Sequence, residues 1–137
     1  MNEKQILFWE VKKSMKPVIE IIPGDFSVCK VKALAPSFLA DPFVFVGKTD
    51  EELSVVCMTD RVPSVTEARE DGWVCFRIAG PLDFSLIGIL APIAEVLAEN
   101  KIGIFAVSTF NTDYILTKKT QAEAAQKALA GAGYRFR

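Results

Sequence analysis

The sequence predicts an α+β fold of two tandem βαββαβ modules, each an antiparallel sheet with helices on one face, the first module truncated. Three observations carry that expectation. From Trp73 onward the chain reads strand, helix, strand, strand, helix, strand. The first half can be laid on the second in two blocks: Val28-Cys29-Lys30-Val31 on Val74-Cys75-Phe76-Arg77, an offset of 46, and residues 46–55 on residues 107–116, an offset of 61. The offsets differ by 15 residues, about the length of the helix expected over residues 88–100 with its approach, so the first module is expected to have a shortened first helix. The modules are placed at residues 16–70 and 71–137.

Taken in order, residues 18–22 and 26–33 are apolar, β-branched runs separated by Pro23-Gly24-Asp25, which predicts two strands around a turn. A Pro-broken stretch, 36–42, follows. Residues 43–47 and 53–58 read as a hairpin around the polar group Lys48 to Glu52. Residues 64–70 can form a short helix, ended by Asp71-Gly72 before a strand over 73–79, in which Val74, Phe76 and Ile78 alternate. Ile89, Ile93, Val96 and Leu97 have helical spacing, and Pro92 falls near the start of that helix, where a missing N–H is tolerated. Strands are expected at 104–108 and 114–118. An Ala-rich helix over 120–130 is closed by Gly131 and Gly133 before a last strand at 134–136. Residues 2–15 receive no assignment.

Sixteen basic against seventeen acidic residues leave a net charge of -1, so no electrostatic footprint for nucleic acid and no polybasic membrane patch is present. The sequence contains no apolar run long enough for a membrane span and no cleavage pattern of an exported protein, and a cytoplasmic, soluble protein is expected. Cys29, Cys57 and Cys75 lie in apolar runs at spacings that fit neither a disulfide framework nor a zinc site, and are read as reduced core thiols. Histidine is absent, which removes the commonest general base and metal ligand. No nucleophile and base pair can be assembled, so neither an enzyme nor a cofactor is expected.

The segment from Gly80 to Lys119, GPLDFSLIGILAPIAEVLAENKIGIFAVSTFNTDYILTKK, resembles the paired ACT-domain proteins that include the CASTOR arginine sensors. Residues 104–116 are its most specific part, and Ile22-Pro23-Gly24-Asp25-Phe26-Ser27-Val28-Cys29 with Glu52-Leu53-Ser54-Val55-Val56-Cys57 look like the matching segments of the first module. The resemblance implies ferredoxin-like ACT modules with side-by-side sheets and a free amino acid, arginine or lysine among the candidates, held at an ACT–ACT interface. It points to Thr109, Phe110, Asn111 and Asp113, with Ser85, Leu86, Ile87 and Gly88 opposite. The animal sensors carry four modules and this chain has room for two, which implies a homodimer. A regulated partner protein would read the bound state.

The chemistry of these residues is compatible with that implication. Residues 86–88 precede a helix, where unpaired N–H groups favour a carboxylate, and Gly88 allows close approach. Asp113 can accept from an ammonium or a guanidinium. Each has a plainer reading: Asp113 as a turn residue, Ser85 and Asp83 as helix caps, Phe110 as core, and Gly131-Ala132-Gly133 as a helix stop rather than a phosphate cradle. The competing function is a structural or interaction module whose pocket is vestigial.

Overall fold

The computed structural model describes residues 2–6, 16–79 and 88–137. Strands β1 (Val18–Lys30), β2 (Val44–Lys48), β3 (Leu53–Met58), β4 (Ala68–Ile78), β5 (Ile104–Ser108) and β6 (Asp113–Lys118) form one sheet in the order β2-β3-β1-β4-β6-β5, and β7 (Arg135–Phe136) pairs with β1. Helices α1 (Leu90–Glu99) and α2 (Ala122–Gly131) lie on one face. The α+β class and the antiparallel sheet are as the sequence predicts.

β1 is one bent strand, not the two expected around Pro23-Gly24-Asp25. Its register against β4 shifts between Ile22 and Phe26 and again between Phe26 and Val28, with Gly24 at φ 103°. A bulge absorbs the Pro, which has no N–H to give a ladder, and the strand continues. The helix expected over 64–70 is also absent: β4 begins at Ala68, because Lys30, Cys29 and Val28 pair with Ala68, Arg69 and Glu70. A single isolated turn containing Val65 and Thr66 cannot compete with a ladder of interstrand bonds. β4 therefore runs unbroken through the division set between residues 70 and 71.

The halves repeat at offsets one residue away from those read in sequence. β2 and β3 map onto β5 and β6, and the 3-10 turn Thr59–Arg61 onto Lys119–Gln121, at an offset of 60. Val28 faces Val56 as Cys75 faces Leu116, an offset of 47 in the first strands. A slip of one residue would exchange the faces of a strand; Val28 and Cys75 share a face in the corrected alignment. The 3-10 turn Pro36–Ala40 stands where the second half has α1, and the turn at Thr59–Arg61 does not continue into a helix as Lys119–Gln121 does. Both helices of the first half are reduced, one more than expected.

The helix-facing core of the second half contains Phe76, Ile78, Ile93, Leu97, Ile115, Ala125 and Leu129. The matching face of the first half holds the smaller Cys29, Val31, Val55 and Cys57 under Leu34 and Val62, a shallower layer suited to a thin cover. On the opposite face the sheet curls. Phe45 of β2 and Tyr114 of β6 meet at 4.8 Å between ring centroids although three strands separate them, and Phe26, Val56, Cys75 and Leu116 are buried inside the curl.

Both helices stop in the same way. Lys101 at φ 59° and Gly133 at φ 98° adopt the left-handed conformation, Ile102 N–H and Tyr134 N–H reach back to Leu97 and Leu129 carbonyls at 2.9 and 3.0 Å, and the chain turns toward the next strand. Pro92 occupies the third position of α1, where no intrahelical N–H bond is lost.

Candidate functional site

The β5–β6 hairpin is closed by Thr109, whose N–H donates to the Thr112 carbonyl at 2.9 Å and whose hydroxyl donates to the same oxygen at 2.7 Å. Thr112 is buried, and its hydroxyl donates to the Ile78 carbonyl at 2.6 Å. That bond ties the hairpin to the last residue of β4, from which the chain departs toward α1. The first half repeats the hairpin bond, Thr49 N–H to Glu52 carbonyl at 2.9 Å, but has Leu53 where the second half has Asp113.

Asp113 opens β6 opposite Ser108 and is partly buried. By strand alternation it shares the face of Ile115, the face on which α1 and α2 lie. Thr109, not Asp113, makes the turn, and among the described residues the Asp113 carboxylate has no hydrogen-bond or ion-pair partner. Gly88, at φ 78°, is exposed two residues before α1 begins. Thr109 and Asn111 are exposed at the turn, and Phe110 is 82% exposed, which removes the core reading for it. Ser85, Leu86 and Ile87, with Asp83, lie outside the described residues. Gly133 serves as the helix stop anticipated for the Gly131 to Gly133 segment.

Sequence reasoning singled out neither Thr112 nor the Ile78 carbonyl as a positioning pair. The signal for Thr112 was the Thr-x-x-Thr spacing at 109 and 112, a side-chain and backbone turn pattern.

Three further sets of polar and thiol groups are structural in character. On the curled face Glu20 accepts from Arg77 Nε at 3.3 Å and pairs with Arg137 at 3.1 Å, and these cations hold its carboxyl below the usual range. Ser27, fully buried at the bulge, donates to Asp71 Oδ1 at 2.6 Å and lies 2.8 Å from the Thr59 hydroxyl. Burial pushes the thiols of Cys57 to about 11 and Cys75 to about 12, which leaves them protonated and unreactive. Among the described residues no three acidic or thiol side chains converge as a metal centre would require, and no helix is long and apolar enough to cross a membrane.

Residues 68–131 match the ACT domain family, and residues 24–65 match a separate N-terminal domain family. The solved structure of Atu0741 from Agobacterium tumefaciens is 34% identical, with 90% of this chain and 94% of that chain covered and a TM-score of 0.80. The chain belongs to the same family as Atu0741. VC0802 from Vibrio cholerae, described as a protein of unknown function and possible transport protein, is 21% identical over 83% of this chain and 88% of that one, with a TM-score of 0.65. The aspartate kinase of Clostridium acetobutylicum, described as an allosteric enzyme, is 14% identical over 83% of this chain and 34% of that chain, with a TM-score of 0.58. These last two share the fold. No curated protein gives a significant match.

Proposed function

We propose that the protein is a non-catalytic amino-acid sensor of the CASTOR-like kind, built from two tandem ACT modules divided near residues 70 and 71 and working as a cytoplasmic homodimer. The ligand's ammonium or cationic side chain is held by Asp113, its carboxylate by backbone N–H groups of the segment with Ser85, Leu86, Ile87 and Gly88, and Thr109, Phe110 and Asn111 border it. Arginine and lysine are the first ligands to test, since either offers Asp113 a second cation. Ligand binding changes the packing between modules or copies, and a regulated protein reads the change.

The observation that supports this reading best is the Asp113 carboxylate, which has no partner among the described residues, beside a hairpin fixed to the end of β4 by Thr112. An ACT domain over residues 68–131 adds to it, as does the fold shared with an allosteric kinase. The experiment is a thermal-shift screen of the common amino acids followed by calorimetry. At least one should raise the melting temperature, and Asp113→Ala should weaken its binding by about 2–5 kcal/mol. A screen without a hit removes the sensing role, and unchanged affinity in the variant removes Asp113 from the site.

A further inference from the structure

The first half has only 3-10 turns at the chain positions where the second half has α1 and the entry to α2, and between Pro36–Ala40 and Thr59–Arg61 they leave a cleft of about 300 Å³. Its walls are Ser37, Phe38, Asp41, Asp60, Arg61 and Val62. Asp41 anchors it. Its side chain is 11% exposed, its Oδ1 accepts from Arg61 Nε at 3.1 Å and from Arg61 Nη2 at 2.8 Å, and its Oδ2 is buried without a partner among the described residues.

Two donors on one oxygen fix the plane of the guanidinium. Arg61 nevertheless stays 57% exposed, and its remaining N–H groups are available at the cleft. Asp41 and Asp60 against Arg61 also leave one surplus negative charge in the wall, with the exposed carboxylate of Asp60 next to the guanidinium in sequence. An oriented anion donor, an unneutralised carboxylate, and an apolar side made by Phe38 and Val62 are the parts of a site for a molecule carrying both signs of charge. At roughly 30 Å³ for each water-sized group, the volume suits about ten such groups, the size of a small amino acid.

We propose that this cleft is a second binding site, for a small zwitterion: the ligand's carboxylate on Arg61, its ammonium on Asp60, and its apolar part against Phe38 and Val62. It is separate from the Asp113 site and does not depend on that site being occupied.

The test is a titration of the isotope-labelled full chain, followed by the amide resonances of residues 37–41 and 60–62. The ligands are the common amino acids, with acetate and methylamine as probes of one charge only. A zwitterion should shift these resonances saturably, Arg61→Gln and Asp60→Asn should each weaken the effect about tenfold, and Asp113→Ala should leave it intact. If Arg61→Gln disturbs folding by breaking the Asp41 contact, Asp60→Asn on the exposed side chain carries the test alone. Saturable shifts confined to residues 88 and 109–113, or lost in Asp113→Ala, would overturn the second site while sparing the first. Acetate binding as tightly as any amino acid would overturn the zwitterion assignment, and so would the absence of any saturable shift at 37–41 and 60–62.

Discussion

Thr117 is fully buried between Val74 and Ile104 in the helix-facing layer, and its hydroxyl has no hydrogen-bond partner among the described residues. An unmade buried bond costs on the order of 1–3 kcal/mol, and a methyl of the same shape would not carry that cost. Thr117→Val should therefore raise stability by about 1 kcal/mol in urea denaturation; a lower midpoint would mean that the hydroxyl has a partner. At this scale the sequence showed what apolar runs show: Cys29, Cys57 and Cys75 are core thiols, as their neighbours implied. Thr112 was harder to find because its acceptor is a backbone carbonyl 34 residues away, and backbone acceptors leave no mark in composition. Phe110 could be read as wall or core, and only the turn closed by Thr109 decides that it points outward.

Among the elements, β1 differs most from its expected form. Pro23-Gly24-Asp25 has the composition of a hairpin turn and serves instead as a bulge, since β4 is long enough to pair with both halves of the strand. A local motif cannot report the length of a partner three strands later. The bulge sets a sharp expectation. A Cβ on Gly24 would stand 2.5 Å from the Met58 methyl and would have to adopt φ 103°, so Gly24→Ala should destabilise by about 1–3 kcal/mol. Gly72→Ala, strained at φ 81° but with open space around it, should cost less, and equal losses in thermal melts would count against the Met58 contact. The helices were far more legible. Apolar spacing for α1, and alanine richness with a glycine stop for α2, placed both within two residues, because such signals belong to the element itself. The expected helix over 64–70 failed for the opposite reason, its residues being recruited to a strand by β1. At the N-terminus Asn2 and Gln5 cap each other, Gln5 N–H to Asn2 Oδ1 at 2.8 Å and Asn2 N–H to Gln5 Oε1 at 3.0 Å, a reciprocal pair whose three-residue spacing is that of a capping box.

Across the whole molecule, Glu20 joins three parts of the chain: β1, β4 through Arg77, and the residue after β7 through Arg137. Its carboxyl is held below the usual value mainly by the hydrogen bonds from Arg77 and Arg137, so folding favours the ionised form. The stabilisation is present in full above the unfolded value of about 4.3 and is lost as pH falls through the lower folded value. Glu20→Gln should cost about 1 kcal/mol at neutral pH, with the gap to the parent closing below about pH 4 in urea titrations; a gap independent of pH would show that charge is not the cause. The antiparallel sheet with helices on one face was readable from the order of elements in the second half. Its curl was not, since contacts such as Phe45 with Tyr114 depend on accumulated strand twist.

The pairing of β1 has a consequence for how the chain is made. Of the described strands β1 emerges first from the ribosome, yet its partners come from residues 54–58, then 68–78, and last from 135–136. An apolar edge made early thus waits for the rest of the described chain, and its long-range closures should set the pace of folding. Until residue 135 has emerged, the nascent chain carries an unfinished edge, and this is the interval in which aggregation or chaperone capture would compete with folding.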